Sequence, residues 1–135
     1  MRYYKCVRVY HKKLYSWSLG NNTSLGSPWL IEYIERQWVT PNVPNSKVFI
    51  FGSLFAAEQF SGADPNVAIY EVEVPSVPKA LEYICLPSED EYFEDFWDFR
   101  WKRENNLPGW LDVAPVNSYS CDAVKLVKKE VSAWY

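Results

Sequence analysis

Residues 47–74 constrain the fold of this chain more than any other stretch. Val48-Phe49-Ile50-Phe51 is an unbroken apolar run of strand length, β-branched and aromatic, and so predicts a buried strand. Gly52-Ser53 turns the chain and supplies a hydroxyl able to cap a helix. Residues 54–60 follow with helical patterning. Ile69-Tyr70-Glu71-Val72-Glu73-Val74 then alternates as a half-exposed strand does, with Tyr70, Val72 and Val74 turned inward and both glutamates outward. A strand, a short helix and a strand in immediate succession predict a small sheet with helices packed on it.

The flanking segments extend the same reading. Residues 3–10 have strand composition, with Val7 and Val9 on one face and Cys6, Arg8 and Tyr10 on the other. After the polar break His11-Lys12-Lys13, residues 14–18 resume the pattern, which predicts an N-terminal hairpin without the usual Asn-Gly or Asp-Gly turn. Gly20 to Pro28 reads as a long loop, residues 29–34 and 37–39 as strands, and the Pro41–Pro44 region as a loop. Residues 79–86 read as a strand ended by Pro87. Ser88-Glu89-Asp90-Glu91 is a capping box that opens a helix over 89–104, closed by Asn105 to Gly109. Phe93, Phe96, Trp97 and Trp101 share one face of that helix, its acids lie at the start and Arg100, Lys102 and Arg103 at the end. Residues 122–131 close the chain as a last strand with Val124 and Leu126 on one face. The expectation is one α+β domain over 1–135: a mainly antiparallel sheet with one short helix at 54–60 and one longer helix at 89–104.

Composition narrows the function classes. At 135 residues, 48% hydrophobic and 23% charged, the chain is globular and long enough to bury roughly two-thirds of its unfolded surface. Seven Trp, ten Tyr and seven Phe are an excess that serves a core first and an interface second. The net charge of −3, with both signs dispersed, disfavours nucleic acid as a partner. Cys6, Cys85 and Cys121 are odd in number and far apart, so buried reduced thiols are expected and no metal site. Neither a signal peptide nor a membrane-spanning run is visible, which predicts a cytoplasmic protein, in the host cell cytoplasm if viral.

Few residues carry chemistry in their spacing. Phosphate loops, HExxH and GxSxG are absent, and His11, the single histidine, reads as an exposed turn residue. Glu71 and Glu73 share a strand face, where paired carboxylates can do acid–base work if the face lines a cleft. The plainer expectation is a solvated sheet face. Six acids between Glu89 and Asp98, interleaved with aromatics, give the long helix either a charged outer face or an acidic, aromatic docking surface. Tyr92, Asp95, Phe99 and Trp101 are the contact residues expected for a protein partner.

Two resemblances follow from these residues. Lys47-Val48-Phe49-Ile50-Phe51, Ser53 to Phe60, Ile69 to Val74 and the closing Cys121-Asp122-Ala123-Val124-Lys125-Leu126-Val127 are similar to small uncharacterised bacteriophage proteins. That resemblance covers about half of the chain and implies a viral or mobile-element context without a mechanism. The same strand–helix–strand unit resembles part of the ADP-ribosyltransferase fold, which implies NAD as cofactor, with Arg8 or His11 holding it and Glu71, Glu73 or Glu130 as the late acid. His11 is followed by Lys12-Lys13, where that family has Gly-Thr. The leading expectation is a non-enzymatic binding protein without cofactor, acting on a host or viral macromolecule; an inhibitor of a host defence system fits the size, though no residue specifies one. The alternative is an NAD- or nucleotide-binding enzyme using Arg8, Glu71 and Glu73.

Overall fold

The structure, a computed structural model, describes residues 2–17, 25–44, 46–62, 64–85, 96 and 111–133. The N-terminal strand β1 (Tyr3–Tyr10) turns through His11-Lys12 into β2 (Lys13–Ser16), and the short β3 (Glu32–Tyr33) and β4 (Trp38–Val39) follow. Next come β5 (Val48–Phe51), the helix α1 (Leu54–Ser61) and β6 (Val67–Glu73). The chain continues with β7 (Lys79–Ala80), β8 (Tyr83–Cys85), β9 (Leu111–Val113), β10 (Ser118–Cys121) and β11 (Val124–Val131). Nine of these strands form one antiparallel sheet in the order β4-β11-β6-β1-β5-β10-β7, with β2 on β1 and β3 on β2; β8 and β9 pair separately.

The expected α+β class with two helices is overturned. The described residues are mostly antiparallel sheet, 46% strand against 9% helix, with one short helix as their only helical element of any length, and so are closer to all-β. The reason lies in segments whose local sequence does not announce a strand. β10 reads Ser-Tyr-Ser-Cys, yet each of its residues has a ladder partner on β5, and pairing overrides weak propensity. The expected strand over 79–86 divides into β7, which pairs with β10, and β8, which pairs with β9. The predicted helix over 89–104 lies outside the described residues, except for Phe96, which is buried with its ring centroid 6.2 Å from that of Phe49.

The unit 47–74 forms as its sequence implies. The Ser53 hydroxyl accepts the Ala56 N–H at 3.1 Å and starts α1, while Gly62, at φ 60°, ends it by donating its N–H to the Glu58 carbonyl. Ala56 and Ala57 bring the helix onto Tyr4, Cys6, Phe51, Val67 and Ile69, one face of the central strands. The opposite face holds the larger core, with Val7, Tyr33, Val48, Ile50, Tyr70, Val72, Val124 and Leu126. Because α1 covers one face and the β2–β4 region the other, β6 is buried on both sides over most of its length and β1 is buried from Tyr4 to Val7. Tyr70 is anchored further by its hydroxyl, which donates to Glu35 at 2.6 Å; burial first, and then that carboxylate, hold its phenol above the ordinary tyrosine value. No helix among the described residues is long and apolar enough to cross a membrane.

Candidate functional site

A fork in the sheet makes the site. One edge of β1 pairs continuously with β6, from Tyr3↔Val72 to Arg8↔Val67. The other edge is claimed by two strands. The hairpin partner β2 takes Val7 to Tyr10, with Val7 opposite Ser16, and β5 reaches only Tyr4, opposite Phe51. Extended by the same register, β5 would place Val48 opposite Val7, where Ser16 already sits. β5 therefore diverges toward β10, and Lys5 and Cys6 are left at the crotch with no strand among the described residues on that edge.

Divergence creates a backbone problem that Lys5 solves. In an antiparallel strand the carbonyls of alternate residues point to the same side. Phe51 faces β1, so the carbonyl of Phe49 does too, and β1 has no N–H in register there. The Lys5 ammonium donates to that carbonyl at 2.8 Å. Lys5 is only 6% exposed, and its Nζ lies 5.6 Å from the centroid of the Tyr33 ring, a cation–π distance. Burial is the largest influence on the amine and lowers it from 10.5 to about 8, against a smaller upward pull from Cys6 and Cys121.

The fork opens into a cavity of about 130 Å³ that runs through the plane of the sheet. Lys5, Ile31, Tyr33 and Val48 line it from the main-core face, and Cys6, Phe49, Phe51 and Phe60 from the helix face. Trp17, Trp29 and three prolines, Pro28, Pro41 and Pro115, complete a wall that is largely apolar. Polar atoms are few. Ser16 accepts the Ile31 N–H at 2.9 Å. The Tyr33 hydroxyl is buried without a hydrogen bond of good geometry; burial raises its phenol above the ordinary value, and the Ser16 hydroxyl beside it offsets part of that. Burial also pushes the Cys6 thiol up to about 12 and the Cys121 thiol up to about 11, so both stay protonated and poor nucleophiles at neutral pH. Of the three cysteines, Cys6 and Cys121 are free and buried.

A second, wider groove of about 400 Å³ runs beside the hairpin and is lined by Lys12, Lys13, Lys129, Glu32 and Glu35 among others. Its charges are of both signs and partly paired: Lys13 lies 3.9 Å from Glu32, and Glu35 holds Tyr70. Such a mixed, solvated surface offers less to a ligand than an enclosed apolar wall does.

The sequence-derived candidates fall elsewhere. Arg8 forms an ion pair with Asp64 at 3.1 Å and donates to the Trp17 carbonyl. Glu71 lies 3.4 Å from Arg2 and Glu73 lies 3.2 Å from Lys125. In the β1–β6 register Arg8 sits opposite Val67, so four positions, about 13 Å of strand, separate it from Glu71. The structure does not bring the three together in one cleft. His11 is exposed in the hairpin turn, its ring 4.2 Å from that of Tyr10, and Glu130 pairs with Lys128 at 3.5 Å. Tyr92, Asp95, Phe99 and Trp101 lie outside the described residues. Among the described residues no group of three or more His, Cys, Asp or Glu is placed to hold a metal ion.

Lys5 is the residue that sequence reasoning missed, and its signal was present. With Val7 and Val9 on the inward face of β1, alternation puts Lys5 on that face as well. A lysine at an inward position of a central strand has either a partner or a task. Comparisons with protein-family profiles, curated proteins and solved structures gave no match. The fork and its cavity therefore carry the functional reading.

Proposed function

We propose that this chain is a non-catalytic binding protein that takes a ring-sized apolar group into the fork cavity. The observation that carries the reading is the cavity itself: apolar walls, a few convergent polar groups and a buried amine in one enclosure. Ligand sites have this composition. Its volume is close to that of an engineered cavity of about 150 Å³ in another protein that holds one benzene ring. Catalysis draws less support, because the thiols are held protonated and the carboxylates named as catalytic candidates are spread along a strand and engaged by Arg2 and Lys125.

Fluorobenzene is a suitable probe. Titrated with protein, its fluorine resonance shifts or broadens saturably, and nuclear Overhauser contacts connect its ring protons to the indoles of Trp17 and Trp29. A resonance that stays unperturbed up to the solubility limit, for fluorobenzene and for a carboxylate-bearing fluorinated ring alike, overturns the reading.

A further inference from the structure

The cavity is electrically unbalanced. Its described lining holds two ammonium groups, Lys5 and Lys47, and no carboxylate. Lys47 is balanced by Asp122, whose carboxyl it holds below the usual range. Lys5 has no ion pair among the described residues: its charge meets a backbone carbonyl and the face of Tyr33. An ammonium carries three donors, and the Phe49 carbonyl takes one of them. The other titratable groups facing it are Cys6, Cys121 and Tyr33, each held in its neutral form by burial. A buried charge without a counter-charge is costly unless something completes the pair. Tyr33, whose ring centroid lies 5.6 Å from that ammonium, carries a second buried donor without a well-formed bond.

Resting on the cavity reading above, we propose that the fork cavity binds a monocyclic aryl carboxylate, the ring held among Trp17, Trp29, Phe49 and Phe60 and the carboxylate on the Lys5 ammonium and the Tyr33 hydroxyl. Two donors among the lining of one largely apolar cavity can meet the two oxygens of one carboxylate. The ligand supplies the missing negative charge, and the ammonium in turn makes an anion welcome in an apolar setting. The rim at Pro28 and Asn42 is exposed, so a ring longer than the cavity can extend outward. A neutral ring has only the walls to gain from. Because Lys5 loses its proton near pH 8, the preference for an anion is present at pH 7 and fades toward pH 10.

The test compares 4-fluorobenzoate with fluorobenzene by fluorine NMR titration, on the wild-type chain and on Lys5→Met and Lys5→Gln, at pH 7 and pH 10. The expected result is at least ~10-fold tighter binding of fluorobenzoate than of fluorobenzene to the wild type at pH 7. That preference is lost in both variants and shrinks in the wild type at pH 10. Equal binding of the two probes, or a preference that survives both substitutions, overturns the carboxylate assignment while the cavity reading stands. Binding of neither probe overturns both. Should both variants fail to fold, the pH comparison on the wild type decides alone, and a preference unchanged between pH 7 and pH 10 refutes the role of Lys5.

Discussion

Replacing Lys5 by methionine should reverse its effect on stability between neutral and alkaline pH. Burial lowers the Lys5 amine from 10.5 to about 8. The group is thus depressed in the folded state, so its contribution is favourable above the unfolded value and is lost as the pH falls through 8. At 1.36 kcal/mol per pH unit the full span is about 3 kcal/mol, of which about 2–3 kcal/mol is recovered on going from pH 7 to pH 10. Lys5→Met removes the buried charge and also strands the Phe49 carbonyl, which costs about 1–2 kcal/mol. The variant is therefore expected to be about 1–2 kcal/mol more stable than the wild type at pH 7 and about 0.5–1 kcal/mol less stable at pH 10. Urea unfolding at pH 7, 8.5 and 10, read by linear extrapolation, measures the difference. A difference that stays constant within ~0.5 kcal/mol across this range refutes the account, since it would mean that the amine titrates alike in the folded and unfolded chains.

Three further outcomes follow from local geometry. His11 and Lys12 occupy the hairpin turn at φ 49° and 65°, a region unfavourable to side chains, so the double change His11→Asn with Lys12→Gly should raise stability by about 1 kcal/mol, read from the urea midpoint. Ser53→Ala removes the acceptor for the Ala56 N–H and should cost about 1 kcal/mol, with faster amide exchange in the first turn of α1 but not in β6. A Cβ at Gly52 would sit 2.5 Å from the Asn117 side-chain oxygen and 2.9 Å from the Tyr119 ring; Gly52→Ala should cost about 1–3 kcal/mol, and an unchanged melting temperature would show that Asn117 moves aside freely.

What was legible in the sequence was whatever local pattern dictates. The run Val48 to Phe51, the Ser53 cap and the alternation around Tyr70 gave β5, α1 and β6 because burial and capping act over a few residues. Val124 and Leu126 gave β11 in the same way. The two short strands flanking the turn at 116–117, β9 and β10, were not legible, because Ser118 to Cys121 becomes a strand only through partners nearly seventy positions away. The site was hidden for a related reason. A fork arises when two distant strands compete for one edge, and no window of sequence contains that competition. Lys5 alone betrayed it, as an inward charge that simple alternation exposes. Arg8, Glu71 and Glu73 attracted notice as charges, but they are the ordinary ion pairs of a sheet surface and of a strand end.

The place of β1 in the sheet bears on how the chain is made. It precedes every other described strand in the sequence, and it lies at the centre, between β6 on one side and the fork on the other. Until residues 67–73 have followed, only the local hairpin with β2 is open to it. β11, which shields the far side of β6, comes from the end of the described chain. A nascent chain therefore carries an apolar strand with one bare edge until those later strands are made, and such edges recruit foreign strands. The Lys5 amine sits in that strand. Charged while the chain is unfolded, it keeps the segment water-seeking until its proper neighbours arrive, and surrenders part of that hydration only when the sheet closes around it.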